Sequence, residues 1–308
     1  MSTVAVVAAC AHAPTPVVGP APTTSSGTIV ARPSTPPATV HDSTIGSDAI
    51  GPLHREADDS AHVSAAEVTK RAAEVFGDSS ARMADRDSSA SASTGHDGPS
   101  WDIDVHSYET TARVEHYLRV FSGSAREDII AQLEAGSRFE PMIRAKMRAG
   151  GLPEDMYYMA LIESGYDPNA YSRAAAVGMW QFMASTGRDM GLRVDWWVDE
   201  RRDPVKSTTA AVRFIRGLKE QLGSLYLAAA AYNGGPGRIA RGLTRYADDL
   251  EGTTGDDRLF ALADKDFLPR ETREYVPQLI AAALIAKEPK QYGMAIRTLP
   301  PFRYDSVR

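Results

Sequence analysis

The chain has 308 residues, of which 24% are charged, and a formal net charge of −6; that balance excludes a protein whose main work is gripping DNA or RNA, which needs a concentrated basic face. Its single cysteine, Cys10, excludes an intramolecular disulfide and a cysteine-built metal cluster. All seven histidines (His12, His41, His54, His62, His96, His106 and His116) lie in the first 116 residues, so the remainder cannot build a Ser-His-Asp triad or a His-ligated zinc from its own side chains.

Residues 1–100 are dense in Ala, Ser, Thr and Pro, as in Ser34-Thr35-Pro36-Pro37, and poor in bulky apolar residues. Such a segment buries too little surface to offset the entropy of ordering, so it reads as tail and linker with one short helix around 65–76. The apolar run Val4 to Ala9 ahead of Cys10 has the outline of a lipoprotein signal, although no Lys or Arg precedes it. It predicts membrane attachment through a lipidated Cys10. No stretch has the roughly 18 uninterrupted apolar residues of a transmembrane helix.

From Trp101 the pattern becomes helical. Val114, Tyr117, Leu118 and Phe121 recur at i, i+3, i+4 and i+7. A helix follows around 129–133, and another carries Phe139, Met142, Ile143 and Met147 until Gly150-Gly151 stops it. Pro153, Glu154 and Asp155 suit the first turn of a helix that runs to Glu163. Asp203-Pro204 is a cap and first helical position, followed by Ala211, Ile215, Leu218 and Leu222 on one face and closed by Gly223. A short apolar helix over 225–232 breaks at Asn233-Gly234-Gly235-Pro236-Gly237, and a last one spans 271–286. With no run of alternating strands, the prediction is a predominantly all-α domain over 101–295 and a C-terminal extension over 296–308.

What remains for chemistry in that domain is carboxylate, hydroxyl, amide and aromatic groups. Glu163 shares a helical face with Met159 and Ala160 and sits at the negative end of the helix dipole; both features favour its protonated form. A carboxyl kept protonated near neutral pH is what a glycosidic oxygen needs in order to leave. Spacing alone leaves open the commoner fate of a glutamate, a solvated helix end. Ser164 has no histidine to activate it, so a hydrogen bond to a sugar or to Glu163 is its expected role. Asp167 precedes Pro168 and resembles a turn more than a second catalytic acid. In Gly178-Met179-Trp180-Gln181-Phe182-Met183, the bland reading is core and the sharper one a cleft wall, where Gly178 admits a ligand to the backbone and Gln181 offers an amide. Tyr232 and Asn233 end a helix at a glycine-rich turn from which a phenol and an amide project.

Five segments, in order, resemble the soluble-type lytic transglycosylases, especially the membrane-bound transglycosylase D group. They are 160–170 (Ala-Leu-Ile-Glu-Ser-Gly-Tyr-Asp-Pro-Asn-Ala), 177–183, 199–204 (Asp-Glu-Arg-Arg-Asp-Pro), 230–237 (Ala-Ala-Tyr-Asn-Gly-Gly-Pro-Gly) and 271–276 (Glu-Thr-Arg-Glu-Tyr-Val). The resemblance implies a lysozyme-like fold, Glu163 as the catalytic residue, and a glycan cleft formed with Ser164, Gly178, Met179, Gln181, Tyr232, Asn233, Glu271 and Tyr275. It implies a peptidoglycan substrate cleaved between N-acetylmuramic acid and N-acetylglucosamine to leave 1,6-anhydro ends, no metal or cofactor, and a periplasmic cell-envelope location, as an outer-membrane lipoprotein. A muramidase that hydrolyses the same bond and a non-catalytic peptidoglycan-binding protein are the alternatives. Ala175 departs from the glycine expected in its loop, and the group's C-terminal LysM repeats do not appear before Arg308.

Overall fold

The computed structural model describes residues 99–303; the readings made above on 1–98, including Cys10 and the helix at 65–76, lie outside the described residues. Ten α-helices are described: α1 Ala112–Ser122, α2 Arg126–Gly136, α3 Glu140–Ala149, α4 Met159–Ser164, α5 Ala184–Asp189, α6 Pro204–Leu222, α7 Leu225–Gly234, α8 Pro236–Arg245, α9 Asp257–Ala263 and α10 Arg270–Lys287. Among the described residues there are only isolated β-bridges, Tyr171 with Val177, Val177 with Phe182, and Val194 with Asp199. The predominantly α architecture expected from the sequence is what the chain adopts.

Two helices with long stretches buried on every side form the centre. α7 is buried from Leu225 to Asn233, and α10 from Tyr275 to Ile285. A helix apolar all round must be enclosed by others, and here α10 packs on α1, α4 and α7 while α7 is covered by α6 and α8. α6 shows the one-sided version: Ala211, Ile215 and Leu218 face inward. Asp203 caps it, accepting from the N–H groups of Val205 (2.8 Å) and Lys206 (2.9 Å), and Gly223 closes it in the left-handed region. Each fully buried Leu or Ile contributes about 1.5–3 kcal/mol.

The helix expected from Pro153 to Glu163 is divided. Glu154–Tyr158 is a 3-10 turn, and only Met159–Ser164 is α-helical. The acids that would favour the first turn of an α-helix are used elsewhere. Asp155, 1% exposed, binds Arg144 Nη1 (3.0 Å) and Lys287 Nζ (2.5 Å) and accepts from the backbone N–H of Asp102 (3.2 Å). This knot ties the segment before α1, the α3 helix and the end of α10 to the turn that leads into Glu163. At the other end of the domain, Arg297 pairs with Glu134 and Phe302 N–H donates to Arg138 O at 2.8 Å, laying the extension from 296 across α2 and the start of α3.

Candidate active site

α4 ends abruptly. Gly165 (φ +62°) and Tyr166 (φ +65°) both take left-handed conformations, so the chain reverses within two residues of Glu163. A side chain on Gly165 would meet Gln132 at 2.7 Å, which is why glycine stands there. Glu163 is thereby held on the last turn of a short buried helix and is itself 7% exposed, not a solvated helix end. Tyr275, on α10, donates its hydroxyl to Glu163 Oε1 at 2.9 Å inside the protein.

Beside α4 runs the tight hairpin 177–182, fastened by four residues from outside it. Ser164 Oγ donates to Met179 O (2.8 Å), Tyr232 Oη to Trp180 O (2.7 Å), and Trp180 Nε1 to Thr208 Oγ1 (2.9 Å). Arg201, buried and paired with Asp199, donates to Phe182 O at 2.9 Å. Several expected roles acquire a different physical content. The Ser164 hydroxyl hydrogen goes to the Met179 carbonyl, bracketing helix to hairpin. Met179 and Trp180 are fully buried side chains. At Gly178 (φ +83°) the open space is taken by protein, since a Cβ would lie 2.0 Å from Arg201 O. Asp167 accepts from Asn169 N–H (2.8 Å) in the turn foreseen for it.

Gln181 does face a cavity. It holds φ +47°, and its Nε2 donates to Gly178 O at 2.8 Å, which fixes the amide; its buried Oε1 makes no hydrogen bond among the described residues. A buried acceptor without a donor carries a desolvation cost of about 1–3 kcal/mol that an incoming donor removes. Gln181 lines a cleft of about 920 Å³ together with Tyr232, Asn233 and Glu271, all expected site residues. Glu163 and Tyr275 are not among its lining residues. They join it through α10, where Tyr275 stands one turn beyond Glu271 on the same face. Asn233 is clamped by the same helix, donating to Glu271 Oε1 (2.9 Å) and accepting from Thr272 Oγ1 (3.0 Å).

Sequence reasoning missed Phe214, Arg238, Arg270 and Thr272 in this cleft. Phe214 lies on a helix read only for its core stripe, and Arg238 on a helix not foreseen. Only Arg270 and Thr272 had a signal, as neighbours of Glu271. Among the described residues no group of three or more His, Cys, Asp and Glu is placed to hold a metal ion.

Residues 140–251 match the model of the transglycosylase SLT domain. The chain is 36% identical over 157 residues to the membrane-bound lytic murein transglycosylase D of Escherichia coli (strain K12), covering 51% of this chain and 33% of that protein. It is 30% identical over 152 residues to the peptidoglycan transglycosylase gp16 of Escherichia phage T7, covering 48% of this chain and 10% of the phage protein. The chain thus spans a third or less of the length of both relatives. The solved structure of an inactive mutant of the lytic transglycosylase Slt from Pseudomonas aeruginosa overlaps 49% of this chain and 24% of its own, at 22% identity and a TM-score of 0.38.

Proposed function

Because the chain carries a transglycosylase SLT domain at residues 140–251, we infer that it is a peptidoglycan lytic transglycosylase with Glu163 as its single general acid and base. The observation that carries this reading is a carboxyl buried at a helix end and hydrogen-bonded by Tyr275, whose helix α10 also carries Glu271 of the cleft. Burial disfavours the charged form of a carboxyl, which suits a group that must begin the reaction protonated.

Glu163 gives its proton to the oxygen between N-acetylmuramic acid and N-acetylglucosamine as that bond breaks. The substrate's own acetamido group stabilises the positive charge left on the muramic carbon, so the protein supplies no nucleophile. The Glu163 carboxylate then takes the proton of the muramic C6 hydroxyl, and the C6 oxygen closes the 1,6-anhydro ring. The carboxyl is restored and no water is consumed. Tyr275 positions the carboxyl through both transfers. Gln181, Tyr232, Asn233 and Glu271 are the sugar-binding groups of this reading, while Ser164, Gly178 and Met179 shape the wall behind them.

The test is digestion of purified sacculi followed by mass spectrometry. Anhydro ends from the wild-type chain, and none from Glu163→Gln with glycan binding retained, are the expected result. Products one water heavier would turn the reading into a muramidase, and undiminished cleavage by Glu163→Gln would remove the residue from its role. The substrate places the protein in the cell envelope, on the periplasmic side. Lipid attachment at Cys10 belongs to the same reading, and palmitate labelling that persists in Cys10→Ser would overturn it.

A further inference from the structure

Trp196 and Trp197 are 89% and 84% exposed, whereas a tryptophan ordinarily buries most of its ring. They occupy adjacent positions at the tip of a small hairpin between α5 and α6. Val194 and Asp199 form its bridge, and Glu200 N–H donates to Arg193 O at 2.9 Å. Asp195 locks the tip: its N–H donates to Val198 O (2.8 Å), and its Oδ1 accepts from the N–H groups of Trp197 (2.8 Å) and Val198 (2.9 Å). Tight turns ordinarily carry Gly, Asn, Asp or Ser, which need no apolar cover. Here two indoles spread about 300–400 Å² of aromatic surface into solvent, comparable with the largest apolar patch of an ordinary monomer.

The hairpin is fastened to the wall of the cleft at both roots. Arg201, which follows it, donates to Phe182 O at 2.9 Å, and Phe182 lines the cleft. Ahead of it, Met190 N–H donates to O of Thr186 (3.0 Å), another lining residue. Met190 O in turn accepts from Arg213 (2.9 Å), the chain neighbour of Phe214 in the cleft. The charged side chains of the hairpin are paired: Arg193 with Asp195 (2.5 Å), Asp199 with Arg201 (2.8 Å), and Glu200 with Lys206 in the first turn of α6 (2.5 Å). The tip is therefore apolar and electrically balanced. A membrane surface that takes up tryptophans also draws basic side chains to its anionic headgroups, and a charged peptide is steered by an opposite charge. A sugar ring needs neither. Its C–H face lies against an indole while its hydroxyls reach the planar polar groups of Arg193 and Asp195 close by in the chain.

We propose that the Trp196–Trp197 tip is an accessory sugar-stacking site, which holds the glycan strand where it runs beyond the cleft and so favours long strands over short ones. The occupant follows from the electrical balance of the tip and from its attachment to the cleft wall. The proposal rests on the transglycosylase reading for the identity of the strand.

The experiment uses the full chain carrying Glu163→Gln, so that ligand is not consumed. Binding is measured against long glycan strands stripped of peptide by an amidase and against a peptide-free muramoyl tetrasaccharide. Affinity for the long strands is expected to fall about threefold in Trp196→Ala or Trp197→Ala and about tenfold when the two are combined. Trp196→Phe combined with Trp197→Phe keeps most of it. Affinity for the tetrasaccharide, seated in the cleft alone, stays unchanged, which also shows that the variants are folded. Equal losses for the two ligands, no loss for the long strands, or no preference for long strands before substitution would overturn the proposal. So would a combined alanine variant that keeps its strand affinity but loses binding to phosphatidylglycerol vesicles, or loses self-association of the chain. The enzyme reading fails separately, if the wild-type chain leaves no anhydro ends on sacculi.

Discussion

Ala175 holds a left-handed backbone, φ +62°, between a turn bond from its N–H to Ser172 O (2.9 Å) and a carbonyl that accepts from Arg201 (3.2 Å). An L-residue in that region carries about 1–2 kcal/mol of strain, while a glycine carries about 0.5–1 kcal/mol of extra chain entropy to lose. Ala175→Gly is therefore expected to stabilise the domain slightly, raising the melting temperature by about 1–3 °C; a lowered melting temperature would contradict the strain. The departure was visible in the sequence as a missing glycine, and the structure supplies its physical reason. Gly178 shows the limit of such reading. Its need for glycine was legible, but what fills the space is the carbonyl of Arg201, distant in sequence and therefore unreadable from spacing. For Glu163, the apolar neighbours Met159 and Ala160 did foretell burial. Its partner Tyr275 became nameable only through a resemblance, because 112 residues separate the two.

Helices with a periodic apolar face or a continuous apolar run were mostly legible, while α5, α8 and α9 were not. α6 announced itself through Asp203-Pro204 and its inward stripe, and its cap can be weighed. Removing the Asp203 oxygen that accepts from Val205 and Lys206 costs about 1–2 kcal/mol. Asp203→Ala should accordingly lower the melting temperature by about 2–6 °C, with Asp203→Asn keeping most of the loss from appearing; equal effects of the two would mean that the cap is not the cause. α8 escaped prediction because Pro236 was read as ending α7. A proline lacks only the N–H that the first turn of a helix leaves unused, so it begins a helix as readily as it stops one. Ile239 and Leu243 were the signal available, one i, i+4 pair in a helix of ten residues. α5 and α9, six and seven residues long, are shorter than two turns. A stripe that short has no period to detect, and packing against neighbours holds what propensity would not.

At the scale of the whole molecule, the knot around Asp155 joins parts of the chain that no local pattern connects, Asp102, Arg144 and Lys287. Its two carboxyls divide. Burial would raise Asp155, but hydrogen bonds with Asp102, Lys287 and Arg144 outweigh it and hold its carboxyl below the ordinary range. Asp102 is pushed up to about 6, by burial first and then by the hydrogen bond and charge of Asp155. The sign of the consequence follows from proton binding. Between its ordinary value of 3.8 and about 6, the folded chain holds a proton on Asp102 that the unfolded chain has lost, so Asp102 makes the fold progressively less stable as pH rises through that window. Asp155 acts oppositely and lower, since its stabilising contribution is lost only as pH falls through the carboxylate range. In Asp102→Asn the first of these dependences disappears. The hydrogen bonds accepted from Glu154 and Asp155 N–H are partly lost at every pH, a constant offset. The melting temperature of the variant relative to wild type should therefore rise between about pH 4 and 6 and level off above 7. Parallel melting curves across that range would show that the segment before α1 is held by neutral contacts alone, and that the charge at Asp102 plays no part in tying it to the turn beneath Glu163.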